Sequence, residues 1–189
     1  MEQRRSLIVF IAIAVMPIFG FGQDKSTSNE STEKEKKISY AFSYESGFYV
    51  GKFFDWGFTK GITGVFVNGI RFNKTQNEIG FGIGYDILNI DYESIMFFPV
   101  YFNYRHYFSS KGKVKPLINV GIGTQFYFDE RYGRNPKIEC ISGLYSTVAA
   151  GFNVKYFTFT AGLFIKSCEW NYDFGDYNAG VEIKAGFTF

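Results

Sequence analysis

The single histidine of the chain, His106, lies in a stretch that could support hydrolysis. The stretch reads "YRHYFSS", with Ser109 and Ser110 just after the histidine. A histidine that a carboxylate orients can act as a general base on a serine hydroxyl in acyl transfer. One hypothesis is therefore a hydrolase centred on His106. The alternative is that His106, with Tyr104 and Phe108, belongs to a cluster of aromatic rings at a membrane interface.

The charged residues of the predicted strands fall on the positions that alternate with apolar ones. Alternate residues of a β-strand share a face, so these side chains would point to one side of the sheet. If that side is the interior of a narrow barrel, the charges have to pair. The predicted set has five acids and five bases: Glu45, Glu78, Asp86, Glu139, Glu182, Arg71, Arg105, Lys155, Lys166 and Lys184. We interpret it as a salt-bridge plug, with a proton or ion pathway as the alternative.

Two cysteines, Cys140 and Cys168, fall at the ends of two neighbouring predicted strands. An exported protein could join them in a disulfide. Strict alternation puts them on opposite faces, and a bulge near the rim would be needed to bring them together. A disulfide and two separate thiols both stay open.

Composition and motifs exclude several function classes. The net charge of +2 gives no reason to expect nucleic acid as a partner. The glycine-rich "GFGIGYD" has neither a Lys-Ser/Thr ending nor a following helix, so no phosphate-binding loop is predicted. With one histidine, a metal site with several histidine ligands is excluded. We therefore expect no cofactor and no metal.

The elements that position these residues are strands, since an apolar–polar period of two recurs along the chain. Each segment is long enough for the ~9–11 residues that a tilted strand needs to cross a bilayer. The predicted strands are 38–51, 61–73, 77–88, 95–108, 114–128, 138–154, 157–169 and 178–189. Pro99 is expected near the start of the fourth, at or above the outer rim, because proline cannot donate to a ladder.

Glycine decides between a soluble sandwich and a membrane barrel. Gly80, Gly82 and Gly84 share the less apolar face, as do Gly121 and Gly123. On a solvent-exposed face these residues would weaken the strand, but inside a narrow barrel they leave room for opposing side chains. The predicted fold class is therefore all-β, an eight-stranded antiparallel up-and-down transmembrane β-barrel.

The first 37 residues indicate export. Arg4 and Arg5, an apolar run from Leu7, and the small residues Gly20 and Gly22 form the pattern of a secretory signal peptide. We predict a signal peptide at 1–22, cleaved after Sec export, and a disordered periplasmic tether at 23–37, which has no apolar residue from 24 to 37. The barrel domain is predicted at 38–189.

Connection lengths predict the orientation of the barrel. With a periplasmic N-terminus, the outer connections read "KFFDWGFTK", "NIDYES", "DERYGRNPK" and "CEWNYDFGDY", and the inner ones "KTQ", "SSKGK" and roughly "KY". Long outer loops and short inner turns are typical of outer-membrane barrels.

The chain resembles a known family in two places. The ending "VEIKAGFTF" is similar to the C-terminal signature of outer-membrane barrels, with Val181, Ile183, Ala185, Phe187 and Phe189 as the alternating apolar set. Residues 97–126 resemble a hairpin of the outer membrane protein β-barrel domain families of Gram-negative bacteria, of OmpA/OmpX-like architecture. The resemblance implies the bacterial outer membrane as location, outer-membrane lipid around the barrel, and recognition of the last strand by the barrel-assembly machinery.

Function is predicted only in outline. We expect a non-enzymatic envelope or surface protein, plugged by its own side chains, whose outer loops are free to contact a partner that the sequence does not identify. The alternatives are a lipid-modifying enzyme that uses His106 and a narrow transport or secretion-accessory barrel.

Overall fold

Eight antiparallel strands close into a barrel in chain order, and β8 pairs back with β1. The strands are β1 (Ile38–Phe53), β2 (Gly57–Phe72), β3 (Asn77–Ile90), β4 (Glu93–Tyr107), β5 (Val114–Glu130), β6 (Ile138–Val154), β7 (Phe157–Cys168) and β8 (Asp176–Thr188). The predicted eight-stranded antiparallel up-and-down barrel is confirmed. We call the end with the β2–β3, β4–β5 and β6–β7 connections the turn end, and the opposite end the loop end.

The structure is a computed structural model that describes residues 38–53, 57–90, 93–108, 113–130, 138–168 and 176–189. The predicted signal peptide (1–22) and tether (23–37) lie outside these residues, as do the side chains of a few strand-end residues, including Glu139, Cys140 and Cys168. Within the described part, no helix is long and apolar enough to cross a membrane.

Alternation sets which way each strand faces. In β8, Asn178, Glu182 and Lys184 are buried, whereas Val181 and Ile183 between them are exposed. The same period of two holds in the other strands, with apolar side chains outside and polar or small ones inside. Alternate residues of a strand point to opposite faces, so a two-residue pattern closed into a cylinder produces an apolar outer wall and a polar interior.

β2 departs from this pattern, because its inward positions include two apolar side chains. Val65 and Val67 are buried and pack with Tyr101 and Tyr145 in one interior cluster. The alternation of "GITGVFVNGIRF" is therefore weak because apolar residues lie on both of its faces. The interior is layered, with charged groups separated by aliphatic and aromatic side chains.

Pro99 lies inside β4 and not at its start, which corrects its predicted position. Its side chain is buried, and its neighbour across the strand pair is Gln125 of β5. On the β3 side, pairing runs to Ile83–Val100 and resumes at Asp86–Phe97. Proline has no N–H to donate, and the ladder to β3 is interrupted at this point. The barrel accommodates the proline as a local gap in one ladder.

The first two connections at the loop end, which were predicted to be outer loops, are shorter than predicted. β1 and β2 are joined by residues 54–56 and β3 and β4 by residues 91–92, while the later connections at this end span 131–137 and 169–175. Most of "KFFDWGFTK" and "NIDYES" belongs to strands, because both segments continue the pairing of the hairpins they close. The predicted contrast in length between the two ends therefore holds only for the last two hairpins.

Closure brings the last residue against the first strand. The Phe189 N–H donates to the Phe42 carbonyl at 2.8 Å, and the Phe42 N–H donates to the Phe189 carbonyl at 3.1 Å. The Phe189 ring stacks on Tyr156 with 5.6 Å between centroids. These contacts continue the β1–β8 ladder to the end of the chain, so that no edge of the sheet is left at this seam.

Two turns at the turn end use the left-handed backbone region. Gln76 has φ 57° in the β2–β3 turn and Lys155 has φ 56° in the β6–β7 turn. Side chains other than glycine adopt this region at a cost of about 1–2 kcal/mol.

We predict that Gln76→Gly raises the free energy of unfolding by about 0.5–1 kcal/mol, because glycine adopts positive φ without a Cβ penalty. The measurement is urea unfolding of the barrel refolded in detergent micelles. Thr75→Gly, in the same turn but without a positive φ, is the matched control and should give no gain. Equal effects of the two changes would contradict the conformational explanation.

Candidate functional site

The inside of the barrel holds the groups with the most pronounced chemistry, and their charges balance. Four carboxylates and four cations point inward, and all except Arg71 are almost fully buried. They are Glu45, Glu78, Asp86, Glu182, Arg71, Arg105, Lys166 and Lys184. An uncompensated charge at such depth would be strongly destabilising, so the balance is a condition for closing the cylinder.

Arg105 connects strands on both sides of the barrel near the turn end. Its Nη2 donates to Glu45 of β1, and its Nη1 lies 3.9 Å from a carboxylate oxygen of Glu78 on β3. Nη1 also donates to the hydroxyl of Thr188 on β8 at 3.2 Å. One guanidinium on β4 thereby links the first, third and last strands. A planar group with five donors suits this role better than an ammonium.

Glu78 is shared between two arginines. Its Oε2 accepts from Arg71 Nη2 at 2.8 Å and from Arg71 Nε at 3.2 Å. The hydroxyl of Tyr107 donates to the same oxygen at 3.3 Å, and the Arg71 guanidinium lies 5.0 Å from the centre of the Tyr107 ring. Arg71 is the one cation of the set with a part of its side chain exposed, which places it at the rim of the turn end.

Lys166 forms a separate ion pair, across the barrel near the loop end. Its Nζ lies 2.7 Å from Asp86 Oδ2, joining β7 to β3. The same ammonium faces three aromatic rings, at 4.3 Å from Tyr49, 4.7 Å from Phe164 and 5.3 Å from Tyr145. Ring faces attract cations, and more so when water is excluded. The buried ammonium is therefore stabilised by one carboxylate and an aromatic cage.

A further ion pair lies along β8 between these two clusters. Lys184 Nζ is 2.5 Å from Glu182 Oε1, and the two residues share the inward face because they are two positions apart. Among the described residues, the Glu182 oxygens have no hydrogen-bond partner beyond this ion contact. Glu182 and Lys184 thus complete a series of charged groups that extends along the barrel interior.

Side chains fill most of the remaining interior of the described barrel. Tyr101 and Tyr145 pack against each other with 4.9 Å between ring centroids, and a side chain at Gly82 would overlap the Tyr101 ring. Near the loop end, Asp86, Gln125 and Lys166 line a cavity of about 10 Å³, the order of one water molecule. Eight-stranded barrels have interiors just wide enough for side chains, and the described interior fits that rule.

The structure corrects one member of the predicted charge set. Lys155 is exposed in the β6–β7 turn, because the pairing of these strands ends at Val154–Phe157 and alternation no longer defines a face there. The side chains of Glu139, Cys140 and Cys168 lie outside the described part, so the inward position of Glu139 and the disulfide stay predictions.

The aromatic cage is the part of the site that sequence reasoning missed. Tyr49 lies four residues after Glu45 in β1, and Phe164 lies two residues before Lys166 in β7, so both share the inward face of a predicted charge. The alternation of inward and outward positions that identified the charges as inward-facing could also have identified these rings as inward-facing. Their meeting at one ammonium depends on the cross-barrel distance, which one strand does not reveal.

His106 faces outward at the turn end. Its Nδ1 lies 2.6 Å from Asn77 Oδ1, which also accepts from the Tyr104 hydroxyl at 3.0 Å. The His106 ring packs edge-on against Phe108 with 4.9 Å between centroids. An amide and not a carboxylate orients this imidazole, which differs from the arrangement of an acyl-transfer triad. Ser109 and Ser110, the predicted nucleophiles, lie outside the described residues.

The apolar residues of the predicted assembly signal all lie on the outer wall. Val181, Ile183, Ala185, Phe187 and Phe189 of the C-terminal segment are exposed. The phenylalanines contact neighbouring rings, Phe187 with Phe157 at 4.9 Å and Phe189 with Tyr156. Recognition by assembly machinery stays a prediction.

Comparison with solved structures shows the same fold. No family model and no curated protein matches the chain. Neisserial surface protein A matches with a TM-score of 0.55 at 14% identity, covering 81% of this chain and 98% of that one. Two further structures have a TM-score of 0.44: the N-terminal β-barrel domain of Pseudomonas aeruginosa OprF (14% identity, 78% and 97% covered) and Ail of Yersinia pestis with sucrose octasulfate (13%, 80% and 99%). The resemblance to small outer-membrane barrels is confirmed at the level of the fold.

We predict that Lys166→Met lowers the free energy of unfolding by about 3–5 kcal/mol, since it leaves Asp86 charged and unpaired. Adding Asp86→Asn should recover part of the loss, because a neutral amide does not require a counter-ion and methionine packs well against rings. Urea titration of the two single variants and the double variant measures the coupling.

Lys60→Met, on an exposed lysine at the loop end, is the matched control and should change stability by less than about 0.5 kcal/mol. Additive effects of Lys166→Met and Asp86→Asn would show that the two side chains do not interact.

Proposed function

We propose that this protein is an integral protein of the bacterial outer membrane, with its barrel spanning the bilayer and its interior closed by its own side chains. One observation carries the proposal: the apolar side chains cover the outer wall while the charges are inside. Exposed positions include Leu163 at 64%, Ile183 at 67% and Phe81 at 70% of their surface. In water such a wall would be an aggregation surface, whereas lipid solvates it.

The closed interior supports a non-enzymatic role in the envelope. Arg105 and Lys166 each reach across the lumen to a carboxylate on another strand. The aromatic rings between them fill the cross-section of the barrel. Water-filled channels occur in barrels of 16–18 strands, about twice the number here. The fold is shared with a surface protein of Neisseria, and we infer that the loop end of this barrel is available for contacts at the cell surface.

Two partners follow from this role. Outer-membrane lipid surrounds the apolar wall, and the barrel-assembly machinery engages the C-terminal strand during insertion. The exposed apolar face of β8 supports the second partner, because Val181, Ile183 and Phe187 present a continuous row on the strand that closes the barrel.

We predict that Leu163→Arg impairs insertion into lipid vesicles and lowers stability there by about 2–4 kcal/mol, because an arginine near mid-depth on the lipid face loses its hydration. Leu163 pairs with Val148 and Val181 in the middle of three strands. Phe58→Arg is the matched control, since Phe58 is 84% exposed but next to the strand end; its cost should be about 0–1 kcal/mol. A soluble barrel would tolerate both changes equally.

A closed lumen also predicts that the barrel does not conduct ions. The full chain refolded into planar bilayers should show no steady conductance, because the salt bridges and rings leave no continuous water path. Lys166→Ala, which empties the aromatic cage, should raise the frequency of small current steps if the plug is what blocks ions. Steady conductance of the unmodified chain would favour the transport alternative.

A further inference from the structure

The turn end of the barrel has a basic surface. At the turn end, the exposed or half-exposed charged side chains among the described residues are all cations: Arg71, Lys74, Lys113, Lys115 and Lys155. The acid that contacts Arg71, Glu78, is buried. Apart from the chain-terminal carboxylate of Phe189, the described part of this rim carries only positive charge at its surface.

The loop end has the opposite balance in sequence. The strand ends and connections on that side contain nine acids and five bases. The acids are Asp55, Asp91, Glu93, Asp129, Glu130, Glu139, Glu169, Asp173 and Asp176, and the bases are Lys52, Lys60, Arg131, Arg134 and Lys137. By sequence, therefore, the excess of cations belongs to the turn end.

The cations of the turn end stand beside a belt of exposed aromatic rings. Tyr156, Phe157, Phe189 and Phe108 are each more than half exposed. Aromatic rings concentrate at the depth of lipid headgroups, and lysine side chains there extend their ammonium groups towards the headgroup phosphates. Lys155 directly precedes Tyr156 in the β6–β7 turn, so a cation and a ring of this belt are neighbours in the chain.

We propose that this basic rim, made of Lys74, Lys113, Lys115 and Lys155 with Arg71, is a binding surface for the phosphate groups of anionic phospholipids in the leaflet at the turn end. The proposal rests on the membrane-spanning role proposed above. Negative lipid attracts basic residues close to a membrane surface, with a gain of roughly fivefold in association for each lysine or arginine. The rim selects lipid by charge, whereas the apolar wall accepts any acyl chain.

The chain's own N-terminal segment is a weaker occupant for this surface. Residues 24–37 contain the acids Asp24, Glu30, Glu33 and Glu35, but they also contain Lys25, Lys34, Lys36 and Lys37. A segment with balanced charges gains little from a cationic surface, whereas anionic lipid offers a uniform layer of phosphate at the depth of the aromatic belt.

The test measures lipid selectivity of the full chain refolded into phosphatidylcholine vesicles. Spin-labelled phosphatidylglycerol and spin-labelled phosphatidylcholine are compared for the fraction that the protein immobilises. The unmodified barrel should favour phosphatidylglycerol at low salt, and the preference should fall as salt rises. The variant Lys74→Gln/Lys113→Gln/Lys155→Gln removes three cations at roughly fivefold each. The preference should therefore disappear, and the immobilised fractions of the two lipids should become equal.

Lys52→Gln/Lys60→Gln, which removes two exposed lysines at the loop end, is the matched control and should keep the preference. Protease protection of each refolded sample separates the two proposals. Failure of every sample to insert would overturn the membrane role and the lipid site with it. Normal insertion with equal immobilisation of both lipids would overturn the lipid site alone. A preference that emerges only in Glu30→Gln/Glu33→Gln/Glu35→Gln would show that the N-terminal segment occupies the rim, and would also overturn the proposal.

Discussion

The contact of Arg105 with Glu45 and Glu78 is the interaction on which the interior of this barrel depends. Once the outer wall is apolar, every polar group that the alternating pattern supplies has to be accommodated inside, out of reach of bulk water. Arg105 is fully buried and compensates carboxylates from β1 and β3, while its second bond, to Thr188, reaches β8. The closure of the barrel and the neutralisation of its charges are therefore achieved by the same side chain. A lysine could balance the charge but could not direct several planar donors to three strands at once.

Much of this arrangement follows from one local rule, which is why the sequence predicts it well. Whether Glu45, Asp86 or Lys166 points inward depends only on its position parity within a strand, and parity is readable without knowing any partner. The number of strands follows from counting the alternating runs. Closure into a barrel follows from the glycines on the inward face, because Gly82 lies under the Tyr101 ring and Gly121 lies near it. These features are properties of single strands and of adjacent strands.

Two kinds of feature were predicted wrongly or missed. In the first, the regular alternation and pairing of a strand is interrupted, and the second depends on distances across the barrel. Lys155 follows the parity of β6 but lies in a turn, where a positive φ breaks the alternation. Pro99 lies within β4 because the barrel tolerates a gap in one ladder, which a rule about proline in regular pairing does not anticipate. The aromatic cage of Lys166 joins β1, β6 and β7, and only the closed cylinder brings Tyr49 to the ammonium. The predicted ranges of the first two loop-end connections were too long because pairing continues to Phe53–Gly57 and to Ile90–Glu93.

A charged interior also explains how the strands keep their register. A shift of one residue in β8 would exchange its faces, so that Glu182 and Lys184 would point into lipid and Val181 and Ile183 into the lumen. On the lipid face of a barrel, a lysine at mid-membrane costs about 2–4 kcal/mol and a glutamate less, so the slipped register is disfavoured by several times the thermal energy. An apolar lumen would carry no such penalty, because apolar residues on both faces would satisfy either register. The ion pairs therefore do more than fill the lumen: they make the correct pairing of a membrane strand much more favourable than its nearest alternative, even if each pair by itself adds little net stability.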